Sequence, residues 1–216
     1  MNKLCLLFIA IIACSAIAGC GRNNAHDLET APHWFSSYRD FNQKDYYNYL
    51  HENIATLDSN DVIFFEAVQH HYQETGEPIW TAGGWQENLI SSVMNLFANA
   101  EEQGIQPSFF SYNILSKKIQ NIKSLEIKGA EALYDSLLHF ELLLTHSYLK
   151  YAKSMAYGAT DPVTVNGGKW LFQPDSISDD FAIKALQSCA NANSFLKTLV
   201  RSEERRVGKE CRSRWS

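Results

Sequence analysis

The amino-acid sequence predicts an all-α protein, an irregular helical bundle around one long central helix. The first observation is the run Ala130–Tyr157, in which Leu133, Tyr134, Leu137, Leu138, Leu142, Thr145, Tyr148, Leu149, Ala152 and Met155 form one apolar stripe. Phe140, Leu143, Leu144 and Tyr151 form a second, and a helix apolar on two faces is the buried centre of a bundle. At about 1.5 Å per residue it runs roughly 40 Å. The second observation is helical spacing elsewhere, with Phe65, Val68 and Tyr72 on one face and Leu89, Ile90, Val93, Met94, Phe97 and Ala100 on another. The third is that no strand pattern competes and no repeat of 20 to 50 residues is visible.

Taken in chain order, residues 21–32 are polar and aperiodic, which suits a tether. The aromatic-rich stretch of Trp34, Phe35, Tyr38, Phe41, Tyr46, Tyr47 and Tyr49 reads as a helix or two. Asp61 is a good N-cap for the next helix, which Gly76 and Pro78 end. Pro78 to Trp85 reads as extended chain and turn, and after the second stripe Gly104 stands at a left-handed C-cap, with Pro107 beyond. Gly158 stops the long helix, followed by Asp161-Pro162 and a Gly-Gly loop at Gly167 and Gly168. Asp179-Asp180 starts a helix, and Phe181, Ile183, Ala185, Leu186, Phe195, Leu196 and Leu199 indicate two short helices.

At the N-terminus, Lys3 precedes an apolar run from Leu4 to Ala13, closed by Ser15-Ala16-Ile17-Ala18-Gly19-Cys20. This describes a secretory signal over residues 1–19, too short to span a bilayer. Ile17-Ala18-Gly19-Cys20 resembles the bacterial lipobox, which makes Cys20 the expected lipid attachment site and mature N-terminus. Ile11-Ile12-Ala13-Cys14 fits the pattern too, but leaves a very short apolar run, so Cys20 is preferred. Gly21-Arg22-Asn23-Asn24 holds no acidic run of the kind that signals surface export, so the expected location is a membrane anchor facing the periplasm.

The tail Arg201–Ser216 resembles the in-frame translation of a short-read sequencing adapter, and the expectation is a gene interrupted near Val200. Its six basic residues against three acidic ones leave a formal charge of minus 8 on residues 1–200, where the whole chain carries minus 5. An acidic body without basic clusters argues against nucleic acid or an anionic membrane surface as partner. Cys5 and Cys14 leave with the signal and Cys211 lies in the tail, so Cys189 is the one thiol of the body and no internal disulfide can form.

The residues offer few candidates for chemistry. Cys189 has no histidine nearby in sequence and reads as a small core residue. His70, His71 and Glu74 lack the His-Glu-x-x-His spacing of a zinc site, and His139 and His146 read as a surface or packing seam. Trp80 and Trp85 flank Gly83-Gly84; they plug a gap between helices or, alternatively, stack on sugar rings. Glu141 stands on the apolar stripe and reads as a buried carboxylate that hydrogen-bonds a loop amide. No catalytic residue, metal site or cofactor is expected.

Four pieces in order carry a resemblance. These are Phe65 and Tyr72 leading into Pro78-Ile79-Trp80; the helix to Ala100 with Gly104-Ile105-Gln106-Pro107; Glu141-Leu142-Leu143-Leu144-Thr145 through Tyr157-Gly158 to Asp161-Pro162; and Phe195-Leu196-Lys197-Thr198-Leu199. Together they resemble the scaffold domain of the large L,D-transpeptidases of the YcbB type, over roughly residues 61–200. The chain departs from that family in having Glu141 where aspartate is commoner, and Ala159-Thr160 where the exit usually carries a basic residue. The resemblance implies a cysteine acyltransferase that cross-links peptidoglycan, with a Ser-His-Gly-Cys motif in a separate domain after the scaffold; no such motif occurs here. The expected division is thus signal 1–19, tether and aromatic-rich segment 20–60, incomplete scaffold-like domain 61–200 and adapter-derived tail 201–216. The competing readings are a helical glycan- or peptide-binding lipoprotein without enzymatic activity, and a structural spacer lipoprotein.

Overall fold

The computed structural model of the chain describes residues 31–56, 63–159 and 178–189. Among them are six α-helices and no strand: α1 Gln43–Ile54, α2 Phe65–Thr75, α3 Glu87–Ala98, α4 Tyr112–Lys123, α5 Ala130–Tyr157 and α6 Asp179–Gln187. Short 3-10 turns stand at Phe35–Ser37, Ala82–Gly84, Ala100–Gln103 and Pro107–Phe110. The all-α expectation holds, and α5 is the central helix. Fifteen of its 28 residues are buried, so it is enclosed around most of its circumference.

The aromatic-rich segment forms one turn and one helix. Asn42 caps α1, its side chain accepting from the Lys44 and Asp45 amides. Phe35, Tyr46, Leu50 and Ile54 share one core with Trp80, Phe97, Leu137 and Tyr148. Gly76 closes α2 in the left-handed conformation, as expected. Gly104 does the same, although the element it closes is the 3-10 turn after α3.

Two expectations are corrected. The helix read from an Asp61 cap begins at Phe65, and its N-cap is Phe64 at φ 54 and ψ 43. Packing fixes this start: the Ile63 amide donates to His146 Nδ1 at 3.2 Å, and the Phe64 ring meets Phe181 of α6 at 6.2 Å. Asp61 lies outside the described residues. Second, α4 has no counterpart in the sequence reading. It buries Leu115 and Ile122, with Tyr112 and Ile119 partly buried beside them, and packs beside α5, but no side chain caps its start.

Of the two short helices after the Gly-Gly loop, α6 is described and starts at Asp179. The second, with Phe195 to Leu199, lies outside the described residues, as do the signal, Cys20, most of the tether, Gly167-Gly168 and the tail.

Candidate functional site

The polar residues of the core converge on Glu141. It stands midway along α5 and is fully buried. Five donors reach its carboxylate. The Tyr72 hydroxyl donates to Oε1 at 2.8 Å and the Ile79 amide to the same oxygen at 2.6 Å. The Trp80 amide is shared between the oxygens at 3.2 and 3.1 Å. The Thr81 amide and hydroxyl donate to Oε2 at 2.9 and 2.8 Å.

An ionised carboxylate is an acceptor only, and this fixes the direction of every proton around it. Thr81 spends its hydroxyl proton on Oε2, so Tyr46, 2.7 Å from Thr81 Oγ1, is the donor of that pair. Tyr72 spends its proton on Oε1, so Thr145 Oγ1, at 2.8 Å, donates to the Tyr72 oxygen. The Thr145 oxygen in turn accepts from the Trp80 indole at 2.8 Å. Two relays of polarised hydrogen bonds therefore end on one anion, and they tie α1, α2, the loop after Gly76 and α5 together. Among the described residues no lysine or arginine forms an ion pair with Glu141. Burial pushes its carboxyl above the ordinary range, while the Ile79 amide and the Tyr72 and Thr81 hydroxyls pull it back.

The expected loop-amide contact is thus three successive amides and two hydroxyls. Glu141 was legible as a polar exception on an apolar stripe, whereas Thr145, one turn on, was read only as a member of that stripe. Tyr46 and Thr81 carry no local signal, because their partners lie 35 or more residues away in the chain.

Trp80 and Trp85 plug the gap between helices. Both have no exposed surface; Trp80 meets Tyr148 edge to face at 5.6 Å, and Trp85 stacks on Phe140 at 4.9 Å. Neither ring presents a face to a sugar, which removes them as a glycan platform. Trp85 spends its indole proton on Glu87 Oε2 at 2.8 Å.

The structure parts the histidines. His139 is exposed and pairs with Asp135 at 3.3 Å, whereas His146 accepts from the Ile63 amide in the seam between α5 and the start of α2. His70 pairs with Glu74 at 3.5 Å on the surface. Among the described residues no group of three or more His, Cys, Asp or Glu could hold a metal ion.

His146 must be neutral at Nδ1 to accept that amide, and burial followed by the Lys150 charge lowers its pKa. A histidine lowered in the folded state supports stability above its ordinary pKa, and that support is lost as pH falls through the lowered value. Urea midpoints should therefore fall as pH drops below about 6.5. His146→Gln, whose amide oxygen can accept the same bond, should give a shallower slope. His71, also lowered by burial, retains its share of the slope.

Cys189 is a core residue, 1 % exposed, with its thiol directed at the Ala185 carbonyl at 3.5 Å. Burial pushes the thiol far up, so the nucleophilic thiolate is disfavoured. In the folded chain at pH 8, iodoacetamide should leave the Cys189 peptide unmodified by mass spectrometry, and urea should expose it to full alkylation.

A scan against family models matches the scaffold domain over residues 66–205, more than half of the chain. The match takes in Tyr72, Trp80, Thr81, Glu141 and Thr145, and begins after Tyr46. No curated protein and no solved structure matches the chain.

Proposed function

The chain belongs to the scaffold-domain family, and from that premise we propose that it is the non-catalytic scaffold portion of an L,D-transpeptidase that cross-links peptidoglycan in cell-wall biogenesis. The catalytic cysteine domain of the parent protein lies outside this chain. The observation that carries the reading is the convergence at Glu141. The pieces Tyr72, Pro78-Ile79-Trp80 and Glu141 to Thr145, which carry the resemblance across some seventy residues of sequence, meet in one buried hydrogen-bond system. A site of this kind holds a fold; it offers no nucleophile.

The parent is exported, cleaved before Cys20 and held by a lipid on that residue, facing the periplasm. Its partner is peptidoglycan, engaged through the catalytic domain, with no role for nucleic acid. Reading the native gene past Val200 tests the assignment: a Ser-His-Gly-Cys motif is expected in the continuation, and its lack would sink the enzyme reading. The chain by itself should take up no carbapenem, so a covalent adduct in its intact mass would place a nucleophile within it and overturn the non-catalytic role.

A further inference from the structure

We infer that the loop of Ile79, Trp80 and Thr81, together with the Tyr72 hydroxyl, is a receptor for a small carboxylate ion, and that Glu141 is its tethered occupant. The site needs the anion, not the covalent link to α5. This inference is independent of the proposed role in cell-wall biogenesis.

The receptor and its occupant come from different elements. Five donors meet the carboxylate, and none of them belongs to α5. Four come from three successive residues of the loop, whose curvature is set by bonds that do not involve Glu141. The Gln86 amide donates to the Trp80 carbonyl and the Gly84 amide to the Thr81 carbonyl, each at 2.9 Å. The Gln86 side chain donates to the Ala82 carbonyl at 2.7 Å, and the Gly83 amide to the Tyr47 hydroxyl at 3.2 Å. Groups other than the carboxylate also seat the loop on α5: the Trp80 indole donates to Thr145, the Trp80 ring meets Tyr148, and Trp85 stacks on Phe140. Successive amides converging on one point form an anion-binding arrangement in their own right.

The donors set the ligand class. Three amides and two hydroxyls are all neutral, and among the described residues no lysine or arginine pairs with the carboxylate. Such a set stabilises one negative charge through fixed dipoles, whereas a second buried charge would meet no counter-charge, so sulfate and phosphate dianions do not fit. The donors divide between two oxygens: Tyr72 and Ile79 serve Oε1, Thr81 serves Oε2, and the Trp80 amide lies between them. This is the pattern of a carboxylate held at both oxygens. Glu141, Tyr72, Trp80 and Thr81 have no exposed surface, so the ligand must also be small. Formate is the smallest carboxylate and supplies the two oxygens that truncation of Glu141 removes.

The test compares urea unfolding of the full chain carrying Glu141→Ala, Glu141→Gly or Glu141→Gln in sodium formate and in sodium chloride of equal ionic strength. Both truncations remove the carboxylate, and glycine removes one carbon more, which leaves room for formate where the alanine methyl crowds it. Glutamine keeps the site filled. When only the folded state binds, the ratio of folded to unfolded chain at fixed urea rises by one plus the ratio of formate concentration to Kd. Formate at about 300 mM should therefore raise that ratio at least about tenfold over chloride in one or both truncations, saturably and with return of the near-ultraviolet tryptophan signal. The Glu141→Gln and wild-type chains should show no difference between the two salts. In the formate-saturated truncation the amide NMR signals of Ile79, Trp80 and Thr81 should move back to their wild-type positions. Equal behaviour of the two salts in both truncations overturns the receptor. A formate gain of the same size in Glu141→Gln or wild type, or one that leaves those three amide signals unmoved, overturns it as well, because the anion then acts elsewhere.

Discussion

Glu141→Ala is expected to lower stability by about 4 kcal/mol or more, read as a fall in the urea midpoint, with loss of the near-ultraviolet signal of the buried tryptophans. The truncation leaves the amides of Ile79, Trp80 and Thr81 facing an apolar cavity. Each buried donor without an acceptor costs about 1–3 kcal/mol, and bonds to a charged acceptor are the stronger class. Relief from burying a carboxylate offsets part of this, which is why the sum of five bonds is not expected in full. Glu141→Gln keeps the shape but turns one acceptor into a donor facing the Thr81 amide and hydroxyl, and about 2–3 kcal/mol is expected. Near-wild-type midpoints for both variants would show that the loop is held by tryptophan packing alone.

The loop needs such a partner because it is buried. Thr81, Ala82, Gly84, Trp85 and Gln86 are all inside, where chain without regular structure has no water to satisfy it. The sequence marked the loop by Pro78 and the paired glycines, and marked Glu141 by its place on an apolar stripe. It did not mark Tyr46, which completes the system from a segment whose aromatic residues follow no clean period. The same distinction explains the helices. The ends of α5 were legible because two stripes begin after Gly129 and stop at Gly158. The start of α2 was not, because the contacts of Ile63 and Phe64 with α5 and α6 override the local signal of Asp61. Helix α4 shows Tyr112, Leu115, Ile119 and Ile122 at helical spacing, a narrow stripe interleaved with its lysines and polar residues.

Gly84→Ala is expected to cost about 3–4 kcal/mol, an unusual penalty for adding one methyl group. Two terms combine. Gly84 has φ +108, where an L side chain is strained by about 1–3 kcal/mol. The new Cβ would also overlap the Phe35 ring, with Cδ1 at 2.7 Å and Cζ at 2.9 Å. Phe35 has nowhere to go: it is 3 % exposed and its ring touches those of Trp34, Tyr38 and Phe41 at 5.7, 5.6 and 5.0 Å. Overpacking of a filled site costs about 1–3 kcal/mol more. The neighbouring Gly83 is the control. Its φ of +64 lies in the ordinary left-handed region and its added Cβ meets only Gln86 Nε2 at 4.0 Å, so Gly83→Ala should cost about 1–2 kcal/mol. A double-mutant cycle isolates the clash. Phe35→Ala alone should cost about 3–5 kcal/mol by leaving a cavity. Combined with Gly84→Ala it should cost at least about 1 kcal/mol less than the sum, because the methyl then enters the space the ring has left. Strict additivity would mean that the ring and the glycine do not touch, and the entry segment would then lose its closest contact with the buried loop.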